Sequence, residues 1–596
     1  MTKPKLRSSQ MITTFGPGAM VDLPEASVII AGLDHWHYDP LKLSAVEEPR
    51  LVAKLRKALE VNTLTLRTPP AASEQDYGVQ PKVVAWRFPE WFIVQKSVRT
   101  RAGFTRRRLV HLNDLDKGKW RDEDGKRQTV VPIRFVRACK KGHVGDVDWK
   151  AFVHGTEPCG RDLWIEEQGT SGDLGEILVV CDCGTERPLS LAAQFASKAL
   201  GHCDGSRPWL GPLTKESCDQ LNRLLIRSAS NAYFPQLMSA ISIPDPHRRV
   251  DDAVRSLWDD FLSEVTEVDE VSRIRKKPTP AAKLEGFSDE DVLAAIERQR
   301  SGDNSLEGPV KDVEFRALSE AAEELGSDEP DGVFYARSLP RSKWESPWMD
   351  HVSRVVLAHR LREVVAQVGF TRFEAHSPDI QGELELDVQQ APLALDVSWL
   401  PAVENRGEGV FLLFKPEAIR KWTEREQVKR RGRRLSEGFE QWKADHRATS
   451  ARFFGLPYYM LHSLSHLLLT SISLECGYPA SSLRERVYAW NDQYGILIYT
   501  GTSDAKGTLG GLFQTGRDIK RHLHRALETA SLCSNDPICA YHAPGEHDQR
   551  TLLGSACHGC ILIAETSCEQ HNDYLDRSLV VPTVEGLAAE FFESVI

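Results

Sequence analysis

Five cysteines near the end of the chain are spaced as zinc ligands are spaced in small structural sites. Cys557 and Cys560 form a C-x-x-C pair, whose short turn brings both sulfur atoms to one side of the backbone. Cys568 follows closely enough to supply a third ligand. Either Cys539 or Cys533 can return from the preceding element as the fourth, and we favour Cys539 because it is closer. The predicted ligands of this closed, structural zinc site are Cys539, Cys557, Cys560 and Cys568.

A second group of cysteines lies between residues 131 and 245, with looser spacing. Cys181 and Cys183 form a tight C-x-C pair followed by a glycine, as in a zinc knuckle. We therefore expect a second structural zinc site, and each site would contribute about 10–16 kcal/mol of apparent metal-binding free energy to folding. The preferred ligands are Cys139, Cys159, Cys181 and Cys183. The alternates are Cys203, His143 and His154.

Zinc binding requires reduced cysteines, and the sequence favours a reducing compartment. The first twenty residues lack the apolar core of a signal peptide. No stretch of the sequence is long and apolar enough to span a bilayer. We therefore expect a cytoplasmic protein that does not enter a membrane, and there clustered cysteines bind metal more often than they form disulfides.

Two histidines suggest a different chemistry. His462 and His466 are four residues apart in "MLHSLSHLLLTSISLE", so they share one face of a predicted buried helix, and with Glu475 they offer three ligands to a catalytic metal. The glutamate of an H-E-x-x-H motif is missing, which favours hydrogen-bonded histidines of the core. A metal-dependent nuclease or a phospholipase-D-like hydrolase that uses these three residues is the alternative function, although the H-x-K-x-x-x-x-D signature of the latter is absent.

Two arginine-rich stretches are candidate contacts for nucleic acid in a chain whose net charge is -10. Any attraction to DNA must therefore come from local patches, each of which is either a solvated surface or a phosphate-binding one. Trp422 and Trp442 flank the first stretch and would stack on bases if it binds DNA. The first stretch contains Lys429, Arg430, Arg431, Arg433 and Arg434. The second, a predicted hairpin, contains Arg106, Arg107 and Arg108.

The sequence contains no nucleotide-hydrolysing motor motif. The glycine-rich stretch "GTSDAKGTLGG" is either a turn between a strand and a helix or a phosphate-binding loop that uses Lys506, but it lacks the glycine spacing of a Walker A loop. No complete catalytic motif is found elsewhere. We therefore expect that the chain is not an enzyme.

The elements that would position these residues predict an α+β, multidomain protein, with small zinc-bound modules and a C-terminal α/β-type domain. "SVIIAGL", "VVAWRF", "GVFLLF" and "GILIYT" are predicted strands. Pro416 is expected to begin a helix, and "HVSRVVLAHRLREVVAQVGF" has the apolar spacing of an amphipathic helix. The predicted regions are 1–130 (N-terminal α+β), 131–245 (first zinc-binding module), 246–340 (acidic helical linker or insertion), 341–449 (middle α/β with the basic helix) and 450–596 (C-terminal zinc-binding domain).

Four stretches resemble the DrmB family, a component of DISARM anti-phage defence systems that carries a helicase-associated domain of unknown function. They are "RSSQMITTFGPGAMVDLP", "FVRACKKGHVGDVDW", "CDGSRPWLG" and "CHGCILIAETSCEQHNDYLDR". The final domain also resembles the C-terminal zinc-binding domain of MrfA-type DNA repair helicases. The resemblance covers most of the chain apart from the acidic helical segment.

The resemblance implies that the chain works through a partner. Proteins of the DrmB family act with DrmA, a superfamily-two helicase supplied by a separate chain, and the pair engages phage DNA. The resemblance also places the zinc ligands at Cys539, Cys557, Cys560 and Cys568, and it implies no catalytic residue. We therefore predict a non-catalytic defence subunit that forms a heterodimer with a DrmA-type helicase and helps it to engage DNA, either single-stranded or at a junction with duplex. An interaction scaffold that never touches DNA is the other possibility.

Overall fold

A computed structural model describes most of the chain and contains both helices and several sheets, which confirms the predicted α+β, multidomain class. None of the helices in this described part is long and apolar enough to cross a membrane. The glycine-rich stretch that follows the last strand falls largely outside the described residues. The described residues are 6–23, 26–38, 45–71, 82–155, 157, 159–243, 248–301, 309–321, 325–326, 332–375, 379–382, 390–446, 451–501, 511–545 and 550–593.

The N-terminal region consists of short strands and two helices. Its elements are α1 (Gln10–Thr13), β1 (Met20–Asp22), β2 (Ser27–Ile30), β3 (Ala45–Val46), α2 (Pro49–Ala58), β4 (Thr65–Arg67), β5 (Ala85–Arg87), β6 (Trp91–Arg99) and β7 (Thr105–His111). The strands predicted in "SVIIAGL" and "VVAWRF" are confirmed as β2 and β5, which pair antiparallel. The predicted arginine-rich hairpin is also confirmed, because β6 and β7 pair antiparallel across a short turn.

The first cysteine-rich region adds short strands to that hairpin. Its elements are β8 (Leu115–Asp116), β9 (Lys119–Arg121), β10 (Arg127–Gln128), β11 (Val130–Pro132), β12 (Phe135–Ala138), β13 (Val144–Gly145), α3 (Trp149–His154), β14 (Leu163–Glu167), β15 (Ile177–Cys181), β16 (Glu186–Pro188), α4 (Ser190–Ala193) and β17 (Arg223–Ile226). A six-stranded sheet in the order β11-β6-β7-β14-β15-β16 joins the two regions. Its core is small, with Trp149 and Phe152 as its largest side chains, so the hairpin packs with the cysteines rather than with the N-terminal strands.

The acidic segment is helical, as predicted. It contains α5 (Arg248–Ser256), α6 (Val268–Ile274), α7 (Pro278–Lys283), α8 (Asp289–Ser301) and α9 (Val310–Glu320). The Ser288 side chain accepts the Asp291 backbone N–H at 3.0 Å and so caps the N-terminus of α8. Helices α5 to α8 have a core of their own around Val254, Val271 and Val292, whereas α9 packs on the central sheet through Leu318.

A nine-stranded sheet forms the centre of the molecule. Its later strands are β18 (Phe234–Ile241), β19 (Leu325–Gly326), β20 (Phe334–Ser338), β21 (Val352–Thr371), β22 (Trp399–Phe414), β23 (Leu483–Trp490) and β24 (Gln493–Thr500). The order β19-β20-β21-β22-β24-β23 is extended by β18 on β21 and by β4, with β3, on β22. The strands predicted in "GVFLLF" and "GILIYT" are confirmed. The sheet is continuous across the boundary predicted at residue 450.

The amphipathic helix predicted from "HVSRVVLAHRLREVVAQVGF" is wrong, since this stretch is the long strand β21. Both faces of β21 are covered, so nearly every residue from Val355 onward is buried. Because such a strand is apolar at almost every position, its sequence also contains the apolar spacing of a helix. The polar residues that a helix would expose are buried as ion pairs. Arg362 contacts Glu404 at 2.6 Å, and Glu363 contacts Arg484 at 3.3 Å.

Helices cover one face of the central sheet and lead into a loop-rich C-terminal segment. They are α10 (Pro416–Thr423), α11 (Glu426–His446), α12 (Leu456–Ser473), α13 (Gly511–Gly516) and α14 (Ile519–Ala530). Pro416 occupies the first turn of α10 and α12 is buried, both as predicted. The described residues between 531 and 593 form only turns, loops and two short 3-10 helices, yet they share the large core of the sheet. Such a segment needs cross-links other than backbone ladders to hold one conformation.

Candidate metal centres and the basic helix

A cluster of four cysteines lies in the loop-rich segment after α14. The Sγ atoms of Cys533 and Cys557 are 3.5 Å apart, those of Cys539 and Cys560 are 3.8 Å apart, and those of Cys557 and Cys560 are 3.7 Å apart. Zinc bound tetrahedrally by thiolates at about 2.3 Å separates the sulfurs by about 3.8 Å. The four thiols therefore fit a zinc ion.

The surroundings of the four-cysteine cluster favour a thiolate at Cys539, whereas the hydrogen bond with Cys539 raises the pKa of Cys560 and burial raises the pKa of Cys533. The backbone N–H of Asn535 donates to Sγ of Cys533 at 3.4 Å, and the backbone N–H of Gly559 donates to Sγ of Cys557 at 3.3 Å. A hydrogen bond from Cys560 lowers the pKa of Cys539 to about 6, and the nearby Arg577 guanidinium acts in the same direction. Hydrogen bonds and a positive charge thus stabilise the anion at Cys539, and a bound metal ion would itself favour the thiolate form of the other sulfurs.

This cluster differs from the predicted ligand set at one position. Cys539, Cys557 and Cys560 lie together as predicted, but Cys533 completes the cluster and Cys568 does not. The Cys568 sulfur instead lies 3.2 Å from Nε2 of His462 in helix α12. Sequence distance favoured Cys568, but Cys533 leaves the end of α14 beside Cys557, and only the path of the loop decides between them.

The first cysteine-rich region contains two clusters where the sequence predicted one. In the first, Nδ1 of His143 lies 3.4 Å from Sγ of Cys139 and 3.5 Å from Sγ of Cys203, and Cys218 lies 4.0 Å from Cys139. Nε2 of His143 faces the Glu216 carboxylate at 2.6 Å. A carboxylate that holds the outer imidazole nitrogen is the usual support of a histidine metal ligand. This cluster therefore fits zinc through three thiolates and Nδ1.

The second cluster of that region contains Cys159, Cys181, Cys183 and His154. The Sγ atoms of Cys159 and Cys181 are 3.6 Å apart. Nε2 of His154 is buried and has no hydrogen-bond partner among the described residues, which is costly unless a ligand occupies its lone pair. The cluster also lies closer to solvent than the others, since Cys183 is exposed. These four side chains likewise fit a zinc ion.

The structure therefore divides the predicted first ligand set between two places. Cys139 lies in one cluster, whereas Cys159, Cys181 and Cys183 lie in the other. The alternates named from the sequence, Cys203, His143 and His154, all belong to a cluster. The sequence reasoning missed Cys218, whose only signal was its distance along the chain from Cys203, similar to that between other zinc-ligand pairs.

The residues of the alternative nuclease are not brought together. His462 and His466 are fully buried in α12, where no phosphodiester can reach them, and their carboxylate neighbour is Glu485. Glu475 instead lies at the surface, where it pairs with Arg521 at 2.6 Å. The geometry gives no support to a nuclease at these residues, and the absence of enzymatic activity stays a prediction.

The basic stretch lies on α11, which presents two different faces. Arg431 points inward, where its Nε contacts the fully buried Asp576 carboxylate at 2.6 Å. Its Nη2 lies within hydrogen-bond distance of the His542 carbonyl and the Ser555 hydroxyl. The outward residues are Lys429, Arg430, Arg433 and Arg434. The five basic side chains are therefore not one surface, since Arg431 is part of the core.

The outward face of α11 is only partly neutralised. Lys429 contacts Glu426 at 3.0 Å, and Arg434 lies 3.8 Å from Glu437. Within the described part of the chain, Arg430 and Arg433 have neither a hydrogen-bond partner nor an ion pair. Of the tryptophans expected to stack on bases, Trp422 is buried with its N–H on the Ala589 carbonyl, which contradicts that role. Trp442, which stacks on the His446 ring, is half-buried.

The arginines of the hairpin differ from those of α11, because each has an acidic neighbour. Arg107 contacts Glu167 at 2.9 Å, Arg108 pairs with Asp162, and Arg106 lies 4.0 Å from Asp182. The guanidinium of Arg106 also lies over the Trp164 ring at 4.5 Å. Since β7 pairs directly with the acidic strand β14, the charge of these arginines is largely neutralised within the sheet.

The loop-rich segment built around a four-thiolate cluster defines a protein with a structural zinc-binding domain, and residues 464–561 match the MrfA Zn-binding domain. Zinc as the cofactor is thereby confirmed. Residues 7–234 match a domain of unknown function, DUF8724. The chain is 31% identical over 534 residues to the DISARM protein DrmB of Bacillus paralicheniformis (strain ATCC 9945a / NCIMB 11709 / CD-2), an alignment that covers 85% of this chain and 91% of that relative. The chain belongs to the DrmB family.

Proposed function

We propose that this chain is a non-catalytic subunit of an anti-phage defence complex, which binds a superfamily-two DNA helicase of the DrmA type in a heterodimer and helps it to engage DNA. Its membership of a DISARM protein family supports the defence role. The match to a zinc-binding domain named after MrfA supports association with a helicase. The observation that carries the DNA contact is the way in which α11 is held against the zinc-binding segment.

Helix α11 cannot rotate without breaking the core. Arg431 is tied to Asp576, which also accepts the backbone N–H of Ser555 at 3.1 Å, two residues before Cys557. About two turns further on, Gly438 lies so close to the same segment that an added Cβ would be 2.3 Å from both Pro544 Cβ and the Thr551 carbonyl oxygen. The four-cysteine cluster therefore orients the basic face of α11 outward.

Two charges of this face are available for phosphate, whereas the whole chain repels DNA. With a net charge of -10, the chain alone should bind DNA weakly, and the helicase would supply most of the electrostatic attraction. Arg430 and Arg433 lie one turn apart and form no ion pair within the described part of the chain, although Glu585 and Glu426 are close enough to interact with them electrostatically. Both guanidinium groups can therefore contact successive phosphates of a strand. The contact would be independent of sequence and would act on single strands or on a junction with duplex.

The test uses the purified heterodimer and a fluorescent single-stranded oligonucleotide, titrated at several salt concentrations. The double substitution Arg430→Ala and Arg433→Ala should weaken binding and lower the slope of log K against log salt by about 1.4, since each phosphate contact on a single strand contributes about 0.7. Arg431 is left unchanged, because its loss would disturb the fold.

The matched control is the double substitution Arg106→Ala and Arg107→Ala, which removes the same charge from the hairpin. We expect this variant to keep the wild-type affinity and slope, because these arginines are already paired. If the α11 variant assembles normally and keeps both values, α11 is only a solvated face. If the hairpin variant loses them, the DNA path runs over the N-terminal region.

The loop that carries Cys533 and Cys539 also offers a contact for the helicase. Leu532, Ile538 and Tyr541 are 74%, 80% and 57% exposed, although they are large apolar residues on a loop fixed by the metal cluster. A rigid loop with exposed apolar side chains favours a protein partner. We assign this loop to the DrmA-type helicase, because the same segment orients the proposed DNA-binding face.

Co-purification with the helicase tests that contact. Ile538→Asp should reduce recovery of the heterodimer at least tenfold, because it places a charge in an apolar interface. Leu213→Asp is the control, since Leu213 is 93% exposed but lies in the first cysteine-rich region. Equal recovery of both variants would place the helicase elsewhere, even if the DNA result on α11 stands.

A further inference from the structure

A fourth cluster of metal-ligand residues lies inside the large core. His462 and His466 come from α12, Glu485 from β23 and Cys568 from the last loop. Their ligand atoms all lie within 4.8 Å of one another, and all four residues are buried. The cluster is separate from the four-cysteine cluster and shares no residue with it.

The orientation of both imidazoles points to a cation between them. Nδ1 of His462 faces the Tyr574 carbonyl oxygen at 3.3 Å, and Nδ1 of His466 faces the Ile561 carbonyl oxygen at 3.0 Å. A carbonyl oxygen only accepts, so Nδ1 carries the hydrogen in each ring. A neutral imidazole then has its lone pair on Nε2, and backbone carbonyls of this kind are the usual supports of histidine metal ligands.

Both lone pairs point at a carboxylate, which is unfavourable without a positive charge. Oε1 of Glu485 lies 2.8 Å from Nε2 of His462 and 3.2 Å from Nε2 of His466. These distances are close to the separation of about 3.3 Å expected for nitrogen and oxygen ligands of one tetrahedral zinc ion. Either a cation or two additional protons must occupy the space in this dry interior.

The cysteine of this cluster accepts backbone hydrogen bonds of the same kind as two sulfurs of the four-cysteine cluster. Sγ of Cys568 accepts the backbone N–H groups of Gln570 at 3.3 Å and Asn572 at 3.2 Å. Backbone N–H groups two residues later also reach the sulfurs of Cys533 and Cys557. Amide hydrogen bonds of this kind stabilise a thiolate, the form of cysteine that binds metal.

We propose that Nε2 of His462, Nε2 of His466, the Glu485 carboxylate and Sγ of Cys568 bind a structural zinc ion. Two imidazoles, one carboxylate and one thiolate are ligands that zinc accepts in a tetrahedron, and the burial of all four leaves no open position for a substrate. One carboxylate and one thiolate balance the charge of Zn²⁺, so the buried centre is neutral and avoids the cost of an unpaired buried charge.

The ion would fasten the last loop to the central sheet. The residue after Cys568 is Glu569, which contacts Lys311 of α9 at 2.8 Å and the Val487 backbone N–H of β23 at 3.2 Å. A metal at the adjacent cysteine cross-links the same loop to α12 and β23. The two zinc ions of the C-terminal region would thus hold two successive parts of a segment that lacks regular structure.

Elemental analysis of the full-length protein tests the assignment. Cys568→Ser should contain one zinc equivalent less than the wild type, because the shell is incomplete. Cys476→Ser is the matched control, since Cys476 is a buried cysteine of the same core that belongs to none of the four clusters formed by the described residues, and it should keep the wild-type content. An unchanged zinc content in Cys568→Ser overturns the proposal, and so does one equivalent of another metal in the wild type.

X-ray absorption at the zinc edge of the wild-type protein decides the matter if Cys568→Ser does not fold. The other three clusters contain ten cysteines and two histidines. If only they are filled, each zinc has on average more than three sulfur neighbours. With the fourth centre filled, the average falls below three, while the zinc content rises to four per chain. An average above three with three zinc ions overturns the proposal.

Discussion

The two cysteine-rich regions of this protein use similar ligands in different surroundings. Each contains two clusters of four ligand residues. In the first cysteine-rich region the clusters lie beside short strands and a small core, and Cys183 is exposed. In the C-terminal region one cluster is fully buried beside the large core of the central sheet, and the four-cysteine cluster lies in a long segment without regular structure that packs on that core. The same chemistry should therefore matter more to global folding at the C-terminal end.

The arginines of the two regions differ in a similar way. Those of the hairpin form ion pairs with acidic residues in or beside the neighbouring strand, whereas Arg430 and Arg433 of α11 form no ion pair with the described residues. A count of basic residues therefore does not measure the charge that a surface offers to DNA. What matters is how many of these charges the fold has already neutralised.

The largest effect should come from a ligand of the four-cysteine cluster. Cys560→Ser leaves three thiolates and an incomplete shell, so we expect a loss of zinc and a decrease in the free energy of unfolding on the order of 5 kcal/mol or more. Chemical denaturation with parallel zinc analysis measures both. Cys476→Ser should unfold close to the wild type, and equal stability of the two variants would contradict a structural role of Cys560.

A somewhat smaller effect is expected from the buried ion pair beneath α11. Arg431→Met leaves the Asp576 carboxylate uncompensated, which should cost about 3–5 kcal/mol at neutral pH. Arg433→Met, on the exposed face of the same helix, should change stability by less than about 0.5 kcal/mol. If both variants unfold alike, α11 is not fixed by this pair.

The difference in the free energy of unfolding between the wild type and Arg431→Met should change with pH in a definite direction. Burial would raise the pKa of Asp576, but Arg431 and the hydrogen bonds around it hold the pKa below its ordinary value. The carboxylate therefore stabilises the wild type above the ordinary carboxyl pKa, and this contribution is lost as the pH falls through the lowered pKa of the folded state. The difference in the free energy of unfolding between the wild type and Arg431→Met should therefore decrease on acidification. A difference that increases would contradict an ion pair between Arg431 and Asp576.

A substitution beside a metal ligand of the first cysteine-rich region should affect metal affinity rather than global stability. Glu216→Gln removes the carboxylate that faces Nε2 of His143 and should weaken zinc retention by about 10–100-fold. Competition with a coloured chelator measures the loss. Asp219→Asn, next to Cys218 but directed at Lys141, is the control and should retain zinc normally. Equal retention by both variants would show that His143 is not a ligand.

The smallest effect is expected from the hairpin. Arg107→Ala breaks a partly exposed ion pair with Glu167, so the free energy of unfolding should fall by less than about 1 kcal/mol. Thermal unfolding of the variant tests this value. A loss as large as that of Arg431→Met would remove the contrast between the two basic regions.

Local patterns were sufficient for much of the fold. Strands such as β2 and β24, the hairpin β6–β7, the start of α10 at Pro416 and the buried helix α12 were all predictable, because each depends on residues that are close in sequence. The long strand β21 was not, since its polar residues are buried by ion pairs with distant strands. An amphipathic helix and a strand that is covered on both faces can therefore not be distinguished by their apolar spacing alone.

The sequence by itself determined that the chain carries metal-binding cysteines, that zinc is their metal, and that the family is DrmB, because residue types and short motifs express these properties directly. Tertiary structure alone decided which ligands share a centre. Cys533 replaced Cys568, and one predicted group became two, since loops can bring ligands together from any distance along the chain. The same holds for Arg431, whose basic side chain faces a buried carboxylate 145 residues away instead of DNA.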